Sequence, residues 1–133
     1  MMKPIKDALG KDYDNFELVK AEMTDEDSIK RCIEGSTYVV HHAAPYYFNN
    51  KTQEELVRPA VDGTLAIMRA CTANNVKRIV ATSSIASIRN TAKEDSPKDG
   101  VYNETHWSNV DRPEGMVDYG VSKTLAEKAA WEY

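Results

Sequence analysis

Short β-rich runs alternate with helical segments along this chain. That alternation limits the fold more than any other feature, because it points to βαβ units and a parallel sheet covered on both faces. Phe16-Glu17-Leu18-Val19-Lys20-Ala21 alternates loosely and predicts a strand. Ile29, Cys32 and Ile33 then recur at i, i+3 and i+4 behind Thr24 as N-cap, with Gly35 as the stop, so a short amphipathic helix follows. Tyr38-Val39-Val40-His41-His42-Ala43-Ala44 predicts the next strand, closed by Pro45.

Thr52-Gln53-Glu54-Glu55 has capping-box spacing and opens a longer helix through Leu56, Val61, Leu65, Ile67, Met68 and Ala70, ending at Asn74-Asn75. Pro59 removes a backbone donor inside it and predicts a kink or restart. Lys77 to Ser84 predicts a third strand that ends in hydroxyl residues, and a final helix runs from about Tyr119 through Leu125, Ala126, Ala129 and Ala130 to the last residue. Between them, Ala86 to Asp118 is rich in Asn, Asp, Pro and Gly without a sustained period. A loop of that length in a compact domain carries function more often than not. In sheets of this kind ligands sit beyond the carboxyl ends of the strands, which directs attention to Ala43–Pro45 and Thr82–Ser84.

The 133 residues, 41% hydrophobic and 29% charged, suffice for one globular domain, residues 1–133, and exclude a disordered chain. Seventeen Lys and Arg stand against 21 Asp and Glu with no cationic block, which argues against a nucleic-acid partner. No apolar stretch approaches the roughly 20 residues that cross a bilayer, and Met1-Met2-Lys3-Pro4 leads into polar sequence, so a cytoplasmic protein without a membrane partner is expected. Cys32 and Cys71 are too few and too far apart for a disulfide framework or a zinc ribbon, and both are expected as core thiols.

A Tyr and a Lys four apart on a helix share one face, so the ammonium can favour the ionised phenol. Tyr119 and Lys123 have that spacing, and so do Tyr47 and Lys51, which sit among Asn residues that do not suggest a helix. Spacing alone fits a surface pair as well as a catalytic one. A Ser, Tyr and Lys set can reduce a carbonyl: the Ser hydroxyl polarises the oxygen, the phenol delivers the proton, and the Lys lowers the phenol's pKa. The hydride must come from a cofactor.

The segment DYGVSKTLAEKAAW, Asp118 to Trp131, resembles the active-site helix of extended short-chain dehydrogenases of the dihydroflavonol 4-reductase, cinnamoyl-CoA reductase and anthocyanidin reductase group. AEMTDEDS from Ala21, VVHHAAP from Val39, RPAVDGTLAIMRAC from Arg58, KRIVATSS from Lys77 and YNETHWS from Tyr102 agree with it in the same order. The resemblance implies a Rossmann-type doubly wound parallel α/β sheet, with Ser84, Tyr119 and Lys123 as catalytic residues and Lys123 also on the nicotinamide ribose. It implies that Glu22-Met23 meet the adenine, where the family commonly has Asp-Leu; that His42, Ala43 and Ala44 run beside the cofactor; and that Thr82-Ser83 lie near the nicotinamide ribose. The cofactor is then NADP or NAD, with NADP the family's usual choice, and the substrate a small carbonyl or alcohol.

The family begins with a strand, a Gly-rich turn and a helix whose amides cradle the pyrophosphate. None of the six glycines here has that spacing near the start. In the family's strand order, 3-2-1-4-5-6, the first βαβ and the C-terminal substrate lobe are missing, so the chain reads as the central piece of a reductase. A non-catalytic fragment or interaction module stands as the alternative, and nucleotide-sugar epimerisation or hydroxysteroid oxidation as a further one. No metal site is expected: adjacent His41 and His42 point to opposite faces of a strand, one toward the core and one toward the cofactor. His106 is expected as a solvated loop residue. Asn50-Lys51-Thr52 and Asn103-Glu104-Thr105 fit the glycosylation sequon but lack a secretory context.

Overall fold

The computed structural model describes residues 3–45, 52–89, 96–111 and 118–133. Two strands, β1 (Tyr38–His41) and β2 (Arg78–Ala81), pair in parallel with Tyr38 opposite Arg78 and His41 opposite Ala81. Parallel neighbours need a crossover; here it includes the helix α3 (Gln53–Ala73). Thr52 caps that helix reciprocally, its Oγ1 accepting from Glu55 N at 3.3 Å while Glu55 Oε2 accepts from Thr52 N at 2.8 Å. At the other end Asn75 takes φ 54°, a left-handed turn out of the helix. The restart expected at Pro59 does not occur. A mid-helix proline costs roughly 3 kcal/mol, and burial of Leu56, Ala60, Ala66, Ile67, Ala70 and Cys71 along α3 offsets it.

Helix α2 (Glu26–Ile33) follows the predicted pattern, with Ser28, Ile29 and Ile33 buried and Gly35 turning out at φ 75°. Its cap is Asp25 rather than Thr24: the Asp25 backbone is extended and its Oδ1 accepts from Ser28 N at 3.1 Å. Ile29 and Ile33 meet Ala66, Ile67, Ala70 and Cys71 of α3 in the main core, against which Val39, Val76 and Ile79 pack. The core therefore lies on the Val39/Ile79 face of the sheet. Tyr38, Val40 and Val80 on the opposite face are exposed.

Phe16–Ala21 is not a strand. A strand exists only as part of a ladder, and the sheet described here contains β1 and β2 alone. In the strand order implied by the resemblance, two other strands separate this run from β1, so Phe16, Leu18 and Val19 stay exposed. Ahead of it, where no element was expected, are a helix α1 (Lys3–Leu9) and a 3-10 turn (Gly10–Asn15) that bury no residue. The last helix, α4 (Asp118–Glu132), matches its expected span and buries Gly120, Val121, Ser122, Thr124 and Ala126, with α3 as its principal packing partner.

Gly63 is buried in α3 where the Glu22–Asp25 turn crosses it. A Cβ there would stand 2.5 Å from Met23 Cε and 3.3 Å from both Met23 Cβ and Met23 O. Gly63→Ala gains helix propensity, about 1 kcal/mol, and loses more than that to overpacking, typically 1–3 kcal/mol. The urea midpoint of the variant should fall. An unchanged or higher midpoint would show that the turn does not rest on α3.

Candidate active site

Thr82, the first residue past β2, is held in three ways. Its N–H donates to His41 O at 2.9 Å, its Oγ1 hydrogen-bonds His42 Nδ1, and its carbonyl accepts from Lys123 Nζ at 2.9 Å. The next residue is held as well: Ser83 Oγ donates to Glu127 Oε2. Lys123 and Glu127 share one face of α4 at i, i+4, so one turn of the helix grips two consecutive residues at the strand end. Ser84 then caps a 3-10 turn (Ile85–Ser87), its Oγ accepting from Ala86 N at 3.2 Å. Tyr119 is half-buried in the first turn of α4, one turn before Lys123, and its carbonyl accepts from Ser122 Oγ at 2.8 Å.

The turn that follows Ser84 packs on α4 through a set of buried hydroxyls. Ser108 N donates to Ser87 O at 2.9 Å and Ser108 Oγ to Ala86 O at 2.8 Å. Thr124 Oγ1 donates to Gly120 O at 2.8 Å and lies 3.5 Å from Ala86 O. Ser87, Ser108, Ser122 and Thr124 are each no more than 1% exposed. The long loop is thus tied by Ser108 of the YNETHWS stretch to the segment carrying Ser84, which joins the Ser84 end and the Tyr119 end of the candidate site through α4. Ser108, Thr124 and Glu127 were not singled out from the sequence. Glu127 alone had a legible signal, its four-residue step from Lys123.

Two cavities open at the carboxyl ends of the strands, and His41 lines both. The smaller, about 210 Å³, collects Glu22, Met23, His42 and Ala43 with apolar walls from Ile29, Ile33 and Val39. Glu22 is held at its mouth by buried Ser28, whose Oγ accepts from Glu22 N at 2.9 Å and contacts Glu22 O at 3.2 Å. The larger, about 270 Å³, is lined by Thr82, Ser83, Lys123 and Glu127 beside Thr64 and Met68 of α3. Residues expected along a cofactor therefore fall into two groups, Glu22, Met23, His42 and Ala43 at the smaller cavity and Thr82, Ser83 and Lys123 at the larger. Ala44 follows at the β1 end, half-buried.

Cys32 is not the expected core thiol. The inward positions of α2 are Ser28, Ile29 and Ile33, which leaves Cys32 exposed on the wall of the smaller cavity. Cys71 is buried as expected, and burial pushes its thiol up. Of the adjacent pair, His41 is half-buried and His42 exposed. His106 is half-buried, with Nδ1 2.8 Å from Asn103 Oδ1. Tyr47 and Lys51 lie outside the described residues. Among the described residues no cluster of three His, Cys, Asp or Glu could hold a metal ion, and no helix is long and apolar enough to cross a membrane.

Burial holds Lys123 below the ordinary lysine range, with the Glu127 carboxylate acting in the opposite direction. Burial also lowers His41, reinforced by the charges of Lys123 and His42. A histidine whose folded pKa lies below its unfolded value binds fewer protons when native, so its stabilising contribution is full above the ordinary value near 6.5 and is lost as pH falls through the folded pKa. Denaturant midpoints should therefore fall more steeply between pH 7 and pH 5 for the native chain than for His41→Asn. Parallel pH profiles would contradict this placement of His41.

A two-stranded parallel sheet with a Tyr-x-x-x-Lys helix pinned to a hydroxyl-rich strand end is part of a Rossmann-type α/β fold. The model of the 3-beta hydroxysteroid dehydrogenase/isomerase family matches residues 3–132, and the chain belongs to that family. Among curated relatives, dihydroflavonol 4-reductase of Gerbera hybrida is 40% identical over 130 residues, covering 93% of this chain and 34% of the relative. Cinnamoyl-CoA reductase CAD2 of Medicago truncatula is 37% identical, over 90% of this chain and 37% of the relative. Among solved structures, vestitone reductase from alfalfa superposes with a TM-score of 0.73 at 31% identity, over 94% of this chain and 38% of that one. The yeast methylglyoxal/isovaleraldehyde reductase Gre2, complexed with NADPH, gives 0.74 at 27% identity, over 98% of this chain and 41% of that one. The chain thus spans little more than a third of the length of the relatives it matches.

Proposed function

We propose that this chain carries the catalytic helix and strand ends of a nicotinamide-dependent carbonyl reductase of the dihydroflavonol-reductase type, acting on a small carbonyl or alcohol in the cytosol without a nucleic-acid or membrane partner. The observation that carries the reading is the Lys123 Nζ to Thr82 O bond of 2.9 Å, which seats the Tyr119/Lys123 helix at the strand end that leads into Ser84. The residues fit an extended coenzyme at its two ends: small Ala43 and acidic Glu22 at the smaller cavity, hydroxyls and an ammonium at the larger. NADP is preferred to NAD because yeast Gre2 and its Candida albicans counterpart were both solved with NADPH.

A bound nicotinamide supplies the hydride. Ser84 Oγ then donates to the carbonyl oxygen as negative charge builds on it, and the Tyr119 hydroxyl hands that oxygen its proton. Lys123 is placed one turn from Tyr119 to offset the phenolate charge left behind. Its ammonium also offers a donor to the coenzyme ribose. Hydroxysteroid oxidation, which the family model's name suggests, and nucleotide-sugar epimerisation would use the same three side chains. The VVHHAAP and YNETHWS stretches favour the reductase group.

A second reading is a non-catalytic member of the family, since the six glycines of this sequence include no set with phosphate-cradling Gly-x-x-Gly-x-x-Gly spacing. Titrating NADPH into the purified chain and following nicotinamide fluorescence separates the two. The reductase reading predicts micromolar binding that Tyr119→Phe leaves intact and Lys123→Ala weakens at least about tenfold, since one charge-assisted hydrogen bond is worth about 1.5–3 kcal/mol. In a full-length version restored from the parent gene, turnover with a dihydroflavonol should be nearly abolished by Tyr119→Phe and slowed roughly 10²–10³-fold by Ser84→Ala. Absent binding would favour the non-catalytic reading, and near-normal turnover of Tyr119→Phe would mean the wrong proton donor has been chosen.

A further inference from the structure

Two side chains of α4 grip the end of β2, and only one of them, Lys123, has a place in the chemistry proposed above. The other is Glu127. Its Oε2 accepts from Ser83 Oγ across 44 residues of sequence, and it shares the wall of the larger cavity with Lys123. Lys123 holds the backbone carbonyl of Thr82 and Glu127 the side-chain hydroxyl of Ser83, so consecutive residues are held from consecutive turns of one helix. Ser84 comes next, with an extended backbone at φ −144° and ψ 146°. Holding Ser83 on α4 therefore constrains the backbone that carries Ser84, whose Oγ caps the 3-10 turn packed on the same helix.

We propose that Glu127 is a positioning residue: by accepting from Ser83 while Lys123 donates to Thr82, it clamps α4 to the strand end and sets where the Lys123 ammonium and the Ser84 hydroxyl stand. The proposal deepens the reductase reading and rests on it for its catalytic meaning, but the clamp itself is a property of the chain without ligand. The carboxylate is also the counter-charge nearest to Lys123 on its own helix. Tyr119 stands one turn before Lys123 on the same helix, and from the strand ends His41 faces the ammonium directly and His42 through Thr82.

The test uses the purified chain and reads the Lys123 side chain by NMR during a pH titration, beside NADPH binding by fluorescence. Glu127→Gln keeps the volume and an acceptor for Ser83 but removes the charge. Its Lys123 titration should move to lower pH while the fold, followed by circular dichroism, is retained. Glu127→Asp should return the midpoint toward the native value. Glu127→Ala loses both contacts and should weaken NADPH binding about tenfold, the loss of roughly one hydrogen bond to a charged group. Glu132→Gln, exposed at the end of the same helix, should change neither measurement. If NADPH does not bind the native chain, the reductase reading fails and the Lys123 titration still decides the clamp. If the native chain binds NADPH while a folded Glu127→Gln leaves Lys123 unmoved, the clamp is overturned and the reductase reading stands. Should Glu127→Ala unfold, the Gln and Asp pair decides the matter alone.

Discussion

One charge-assisted hydrogen bond, Lys123 Nζ to Thr82 O at 2.9 Å, organises the functional end of this molecule. A lysine ammonium half removed from water loses hydration that must be replaced. The end of a parallel strand offers unpaired carbonyls to replace it. Thr82 is a suitable anchor because it is itself immobilised by His41, the last residue of the neighbouring strand, and by His42 just past it. The helix is thereby referenced to both strands at once. Tyr119, one turn earlier on α4, and Ser84, two residues beyond Thr82, inherit their places from that contact.

The remaining structure serves to bring α4 to this point. α3 crosses from β1 to β2 and presents one flank to α2 and another to α4, so a single 21-residue helix carries both the core and the packing of α4. Its small buried residues matter for different reasons. Gly63 admits the backbone around Met23, which places Glu22 by the smaller cavity. Ala66 and Ala70 let α2 settle close enough for Ile29 and Ile33 to be buried. On the other side of the sheet Tyr38, Val40 and Val80 stand exposed, an apolar face of the kind a doubly wound fold covers with helices.

Much of this was legible in the sequence because the signals were local. The capping box at Thr52, the i, i+3, i+4 apolar spacing of α2, the Asn pair after α3 and the β-rich run from Tyr38 each depend on residues a few positions apart, and each element formed where that spacing placed it. Phe16–Ala21 misled because a strand also needs a neighbour, and alternation carries no information about whether one is present. Cys32 misled for a similar reason: helical spacing puts it on the apolar flank, and only the packing of α2 on α3 decides that Ile29 and Ile33 point inward while Cys32 faces a cavity. Of the site, the Tyr119/Lys123 helix could be placed from its family resemblance. The bonds from Thr82 to His42, from Ser83 to Glu127 and from Ser108 to Ala86 join residues at least 22 positions apart, and no periodicity could have shown them.

Under the proposed function, the two cavities that His41 lines are the two ends of one coenzyme track. Backbone amide chemical shifts recorded with and without NADPH test it most directly. Saturating coenzyme is expected to perturb Glu22–Met23 and His42–Ala44 together with Thr82–Ser84 and the Tyr119–Lys123 turn, all with the same dissociation constant. Perturbation of one group without the other, or shifts confined to α1 and the exposed Tyr38/Val40/Val80 face, would contradict it.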